Sequence, residues 1–397
     1  MANQFTSVSH TGFFGRMKNS LMGVLIGLLM VPGSLILLGW NEFRTVHRSR
    51  GLAEAARVVQ TIPNVNETAS EMNDSLVHLS GEANTTEQLQ DETFGISANA
   101  LRLQRSVEMY QWVEETETRT KDKFGGGTET TKTTTYEKEW VDHYQDSNHF
   151  EHPEGHANPA PKYDNMAVDA NEVAVGVYEL SESLKSSISN WTDVSIDSDK
   201  FLATVPEEER THYQINGNVI YYSAGDADPN SPQVGDLQIR FKECKPAVVS
   251  IVAQLKANQL DNFRTSNGES IQRLYMGTLS SDEIMGKLVS ENNTIAWALR
   301  FAGFIVCGIG FNLILGPISA IASIIPFLGR LTGGLLFVFS MLLSVILCAI
   351  TIAIAWIAVR PILGISMLIV AGVGIYFLLK LRNSAASEPA APMATSN

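Results

Sequence analysis

LTGGLLFVFSMLLSVILCAITIAIAWIAV, residues 331–359, runs for 29 residues without a charge. A helix rises ~1.5 Å per residue, so roughly 20 apolar residues cover the ~30 Å of hydrocarbon in a bilayer. The run exceeds that length and predicts a tilted or protruding span. Reading outward, Arg330 and Arg360 are the only charges from Phe301 to Leu379. Residues 296–316 and 361–379 therefore read as two further spans, with Arg360-Pro361 as the tight reversal before the last. Residues 317–330 hold Pro317, Ser319, Ser323 and Pro326 and are too short to cross alone; they read as an interfacial or re-entrant segment. Near the start lies NSLMGVLIGLLMVPGSLILLGW, residues 19–40. With Asn41 it reads as a signal anchor, Pro32-Gly33 being tolerated inside a membrane helix. A cleavable signal peptide fits less well, because Arg44, Arg48 and Arg50 separate Ala53-Glu54-Ala55 from the apolar core. The expectation is an integral membrane α-helical protein with one N-terminal and three C-terminal spans. They flank one large α+β, β-rich extramembrane domain, residues 42–295. Residues 1–18 and 380–397 are tails, the latter rich in Ala, Ser and Pro and expected to be disordered.

Charge shows the same division. Of 42 acidic residues, 41 fall between Asn41 and Arg300, giving that stretch −18 against +5 for the remainder. An acidic domain does not attract nucleic acid or an anionic lipid surface non-specifically. The basic residues flanking the spans, Arg300 among them at the domain-side boundary, are nearly balanced, so the positive-inside rule does not orient the chain. Cys244 is the one cysteine of the domain, which excludes an internal disulfide there and reads as a packed thiol; an intermolecular bridge is the alternative. Sequons at Asn66, Asn73, Asn84, Asn190 and Asn292 all lie in the domain, and Asn292 is too near the membrane for use.

Within the domain, 42–59 reads as helical. Leu76–Leu79 reads as a short strand. Leu101–Thr120 and Thr128–Tyr144 form a long hairpin, 101–144, across a turn with three glycines. Strands are also expected at Val173–Leu180, Val219–Ser223, Asp236–Phe241 and Val248–Leu255, with a short helix over Ser181–Ser189. Ser280-Ser-Asp-Glu283 has capping-box spacing. The segments beginning at Leu76 and at Val219 each show a short strand, a small residue, a loop and another strand, which fits a duplicated β unit.

Chemistry is sparse. His143, His149, His152 and His156 lie among carboxylates, but Pro153 and Gly155 break any shared helical face, so a solvated loop is the expectation and no metal is assigned. No nucleophile elbow, phosphate-cradling loop or HExxH appears, and no catalytic or cofactor-binding residue is assigned. Transporters place ionisable groups at midplane, which the span interiors scarcely provide, so a transporter or channel is disfavoured. Asn312 reads as an interhelical hydrogen-bonding group, and Gly303, Gly308, Gly310, Gly333 and Gly334 as sites of close helix packing. A lipid-binding or lipid-processing module is the first alternative to a scaffold, suggested by the bend at 316–330 and the overlong span after it, and a transporter or channel the second.

Several segments together carry a family resemblance: Trp40-Asn-Glu-x-Arg44, Val107-Glu-Met-Tyr-Gln-Trp-Val-Glu114, Tyr136-Glu-Lys-Glu-Trp140, Asn148 and Phe150. Gly155-His156-x-Asn158-Pro159, Met166-Ala-Val168, Val234-Gly-Asp-Leu237, Gly310-x-Asn-Leu313 and Trp356 with Arg360-Pro361 complete it. The chain resembles the transmembrane protein 43 (LUMA) family over nearly its whole length, the run from Val107 to Glu114 being the most specific. The resemblance implies a four-span scaffold of the endoplasmic reticulum and inner nuclear membrane, with cytosolic tails and a luminal domain. It implies self-association and lamin and emerin-like partners. In a bacterial relative the inner membrane and periplasm would replace these. Glu108, Tyr110, Trp112, Trp140, His156, Asn158, Asn312, Arg360 and Pro361 are the family-like positions of unknown role.

Overall fold

The computed structural model describes residues 3–359. These divide into two compact units: residues 3–11, 50–122 and 128–290 form the first, and 12–49, 123–127 and 291–359 the second.

The first unit is built on two sheets. Strand β1 is Gln4–Thr11, β2 Leu76–Asn84, β3 Arg102–Asp122, β4 Thr128–Val141 and β5 Tyr213–Asn216. β6 is Val219–Tyr222, β7 Leu237–Cys244, β8 Ala247–Lys256 and β9 Arg273–Met276. The larger sheet runs β1-β4-β3-β7-β6-β5, with Trp191–Asp193 on β7 and Met166–Asp169 on β3. β3 and β4 are the long hairpin, paired from Met109↔Val141 to Asp122↔Thr128. Its turn needs left-handed backbone at Gly125 and Gly126, which glycine adopts without steric cost. In the second sheet β2 and β8 pair from Leu76↔Gln254 to Ala83↔Ala247. Gln259–Asp261, Tyr178–Leu180 and Ala174–Val175 close the path from β8 back to β2 into a five-strand ring.

Alternation explains the core. Along β3, Leu103, Val107 and Met109 are buried on one face, and along β7 Leu237, Ile239 and Phe241. With Leu79, Val249, Ile251 and Leu255 of the second sheet they form one apolar cluster. The expected strand at Val173–Leu180 is interrupted at Gly176, whose φ is +62° and where a Cβ would come within 2.0 Å of the Val65 carbonyl oxygen. Cys244 is buried, its thiol directed at the Ile188 carbonyl. The Leu76 and Val219 patterns have different partners. β6 pairs with the strand that follows it, β7, whereas β2 pairs with β8 and not with β3. Apolar alternation records burial, not the choice of neighbour.

Part of the stretch read as an N-terminal tail is a strand. Gln4–Thr11 pairs with β4 from Gln4↔Thr135 to Thr11↔Thr128, as its β-branched Thr6, Val8 and Thr11 allow.

Helix α1, Phe13–Val58, continues unbroken through the polar stretch after Trp40. Its last turns supply Leu52 and Ala55 to a second cluster with Leu76, Val252 and Ile271. Ile284, Met285 and Leu288, from the first turns of helix α2, Ser281–Ala322, complete it. The domain thus grips the ends of both helices. The capping box at α2 forms as its spacing predicts, the Ser280 amide donating to Glu283 and the Glu283 amide to the Ser280 hydroxyl.

In the second unit α2 runs straight through Pro317 to Ala322, and helix α3, Pro326–Val359, follows after a three-residue turn. Residues 317–330 are therefore the end of one helix, a short turn and the start of the next. Pro326 opens α3 where its missing amide costs nothing. Three helices, Phe13–Val58, Ser281–Ala322 and Leu331–Val359, are long and apolar enough to cross a membrane. The expected fourth span, 361–379, lies outside the described residues. Helices α1 and α2 touch through glycine: a Cβ on Gly27 would sit 2.5 Å from the Gly310 oxygen, and one on Gly303 2.7 Å from Leu38.

Candidate functional site

Two polar junctions gather the motif residues. The first lies on the larger sheet. Beyond Met109, β3 has lost β7 as a neighbour, and its outward backbone groups need partners. Tyr110 finds them in the loop before β7, its amide donating to the Asp236 carbonyl and its carbonyl accepting from Gly235. At Trp112 the Asn158 side chain replaces a strand. Its Oδ1 accepts from the Trp112 amide at 2.8 Å and its Nδ2 donates to the Trp112 carbonyl at 2.9 Å. Gln111 works likewise toward the loop at 143–145, donating to the His143 carbonyl and accepting from the Gln145 amide. Gly235, at φ +103°, packs where a Cβ would meet Pro159 Cγ at 2.7 Å, which links two of the motif segments.

His156 sits beneath this loop and is 1 % exposed. The expectation of a solvated histidine is thus corrected: the ring stacks on Tyr136 at 4.1 Å, meets Trp112 edge-on at 4.8 Å, and donates from Nδ1 to the His152 carbonyl. Tyr136 donates its hydroxyl to Glu114 and accepts from the His152 amide, while Glu114 also accepts from the Glu151 amide at 2.6 Å. Burial first, then the hydrogen bond to Glu114, pushes Tyr136 up to about 12. Phe5 of β1 stacks on His152. Tyr110 packs on Trp140 and Trp140 on Tyr221, whose hydroxyl donates to the buried Asp236. Glu108 pairs with Arg240 across β3 and β7. His143 and His149 remain at the surface beside Asp142 and Asp146. No set of three metal-ligating side chains converges among the described residues.

The second junction joins the helices. Glu42, 2 % exposed, accepts two bonds from Arg300, at 2.6 Å from Nε and 2.8 Å from Nη2. Trp356 of α3 donates to the same carboxylate at 2.7 Å. Asn41 donates to the Ala296 carbonyl, and Asn292 to the Thr45 carbonyl and the Ser49 hydroxyl. Reading Arg300 as a boundary charge missed this triad. The signal was present: an acid just past one span and a base just inside the next, facing the same boundary. Arg105, bonded to Asp91 at 2.8 Å and to the Asp164 carbonyl inside the domain, was also missed, because nothing local marks a buried ion pair.

Asn312 makes no hydrogen bond to the described residues, contrary to the interhelical bond expected of it. It lines a cleft of about 330 Å³ with Arg16, Asn19, Gly316, Ser319 and Leu336. Arg360 and Pro361 lie outside the described residues. Among the sequons, Asn66, Asn73 and Asn84 are exposed, whereas Asn190 is half-buried and donates its amide to the Lys245 and Pro246 carbonyls. Asn292 is buried.

The model of the family described as transmembrane protein 43 matches residues 109–361. The chain belongs to that family. Transmembrane protein 43 of Homo sapiens is 28% identical over 387 residues, 94% of this chain and 93% of its own length. The mouse protein of the same name is 28% identical over 369 residues, covering 90% of this chain and 89% of itself. The Drosophila melanogaster homolog is 30% identical over 359 residues, covering 87% and 91%. No solved structure matches significantly. For this transmembrane protein 43 family member, the matched region takes in the joints of the hairpin together with Arg300 and Trp356, whereas Glu42 lies outside it.

Proposed function

We propose that the chain is a multi-pass membrane scaffold of the endoplasmic reticulum and inner nuclear membrane. It works by self-association and by holding partner proteins, lamins and emerin-like proteins in a eukaryotic host, and it carries out no catalytic step. One observation supports this most: several family-like side chains are spent on joints between distant segments. Asn158 stands in for a strand beside Trp112, Tyr136 locks Glu114 to the 151–152 loop, and Glu42 ties three helices together. Such groups are not left free to meet a substrate. The compartment and the named partners rest on family membership. The test combines glycosylation mapping of Asn66 and Asn84, protease protection of both termini, and cross-linking in native membranes. Copies that cross-link neither to each other nor to other proteins would refute the scaffold reading.

Lipid binding is the second reading, favoured by the cleft at Asn312. An asparagine in a span without a partner among the described residues gains from a ligand's polar group. Lipids retained by gently purified protein, and lost from Asn312→Leu, would support it.

A further inference from the structure

We propose that two copies of this chain pair edge to edge along β3, from Glu115 to Lys121, about a two-fold axis through Thr118. The proposal rests on the self-association reading and gives it a surface.

The hairpin has two edges, and one is covered. β1 lies along β4 over Thr128–Thr135. On the other edge β7 covers β3 as far as Met109, and Asp236, Gly235 and Asn158 cover Tyr110 and Trp112. The outward backbone groups are those of the even-numbered residues. Among the described residues, Thr116, Thr118 and Thr120 have no partner for theirs. Their neighbours Glu115, Glu117, Arg119 and Lys121 are all exposed. An unpaired edge of this length is a template for another strand.

Charge selects both the strand and its register. Antiparallel pairing of two identical edges about Thr118 places Thr116 opposite Thr120 in hydrogen-bonded pairs. Glu115 then faces Lys121, and Glu117 faces Arg119, in the non-hydrogen-bonded pairs where side chains come closest. Shifting the axis to residue 117 sets Glu117 against Glu117; shifting it to 119 sets Arg119 against Arg119. Shifts farther out oppose Glu115 to Glu117 or Arg119 to Lys121. Charged residues usually blunt an edge, but here one register turns every opposed charged pair from Glu115 to Lys121 attractive. The Arg119–Glu117 contact within the strand, at 2.7 Å and largely exposed, is exchanged for the same contact between copies.

The test uses two differently tagged full-length chains expressed together and isolated from native membranes. Glu115→Lys with Glu117→Arg makes an all-basic edge, and Arg119→Glu with Lys121→Glu an all-acidic one. Each variant should lose co-isolation with itself by roughly tenfold, the effect of four reversed cross-strand pairs. Basic and acidic variants mixed should recover it. Thr118→Cys should bridge copy to copy, and Thr131→Cys on the covered strand should not. Protection of the buried Cys244 thiol reports that each variant folds. Undiminished co-isolation of both variants with themselves would overturn this surface and leave self-association standing. Wild-type copies that never co-isolate would overturn both.

Discussion

Replacing Glu42 by leucine should open the helix unit, and the cost follows from the geometry around Arg300. The Glu42 carboxylate is 2 % exposed and accepts both bonds of the Arg300 fork as well as the Trp356 indole. Removing it leaves a guanidinium with 16 % side-chain exposure and no counter-ion. Breaking a buried pair in this way costs about 3–5 kcal/mol. Arg300 stands at the boundary of its span and can extend toward headgroups, so the lower end, about 3 kcal/mol, applies. Each 1.4 kcal/mol is about tenfold in an equilibrium. The helix unit should therefore open roughly a hundredfold more often.

Cys307 and Cys348 report that opening, because both are buried against Leu38. In a Cys244→Ser background their rate of labelling by a small membrane-permeant maleimide should rise roughly a hundredfold in Glu42→Leu, following about 3 kcal/mol of lost stability. Adding Arg300→Met removes the stranded charge, and apolar replacements of a buried pair are often neutral. The double variant should thus label nearly as slowly as wild type. If it labels as fast as Glu42→Leu alone, the carboxylate matters for another reason and the ion-pair argument fails.

Three other outcomes are expected. His78, buried between Thr61 and the Leu279 carbonyl, has its pKa lowered by burial. Domain stability should hold above the ordinary histidine value of about 6.5 and fall as pH drops below it, since the unfolded chain takes the proton first; denaturant melts from pH 8 to 5 should show this, and His78→Phe should flatten the slope. Asn158→Ala strands the Trp112 amide and carbonyl and should cost about 1–3 kcal/mol per unmet group, read as a lower unfolding midpoint of the domain. Gly27→Leu should separate α1 from α2, because its first carbon would lie 2.5 Å from the Gly310 oxygen, and should raise Cys307 labelling.

The helices were legible because apolar length is a one-dimensional signal, and the hairpin because β-branched runs flank three glycines. β1 was not, since eight residues ahead of a span look like a tail until β4 offers an edge. The break at 317–330 was misread for a related reason. Proline stops a helix in water, but in a membrane helix the freed carbonyl can be met locally, and α2 continues through Pro317. His156 was placed in solvent because its neighbours Asp142, Asp146, Glu151 and Glu154 are polar; the Tyr136 and Trp112 rings that bury it come from other strands.

What the family-like positions share is distance along the chain. Glu42 meets Arg300 and Trp356 across three helices, Asn158 meets Trp112 across a loop, and Gly235 meets Pro159 between motif segments. A catalytic site would gather such residues around one void with an acid, a base or a nucleophile facing it. Here Glu42, Asn158 and Tyr136 meet their partners in pairs and triads that satisfy one another. Substituting Glu42, Asn158 or Tyr136 should therefore show first as loss of folded protein in the membrane. A loss of assembly at normal abundance should instead mark residues outside these joints, and Glu115, Glu117, Arg119 and Lys121 on the open strand edge are the first to examine.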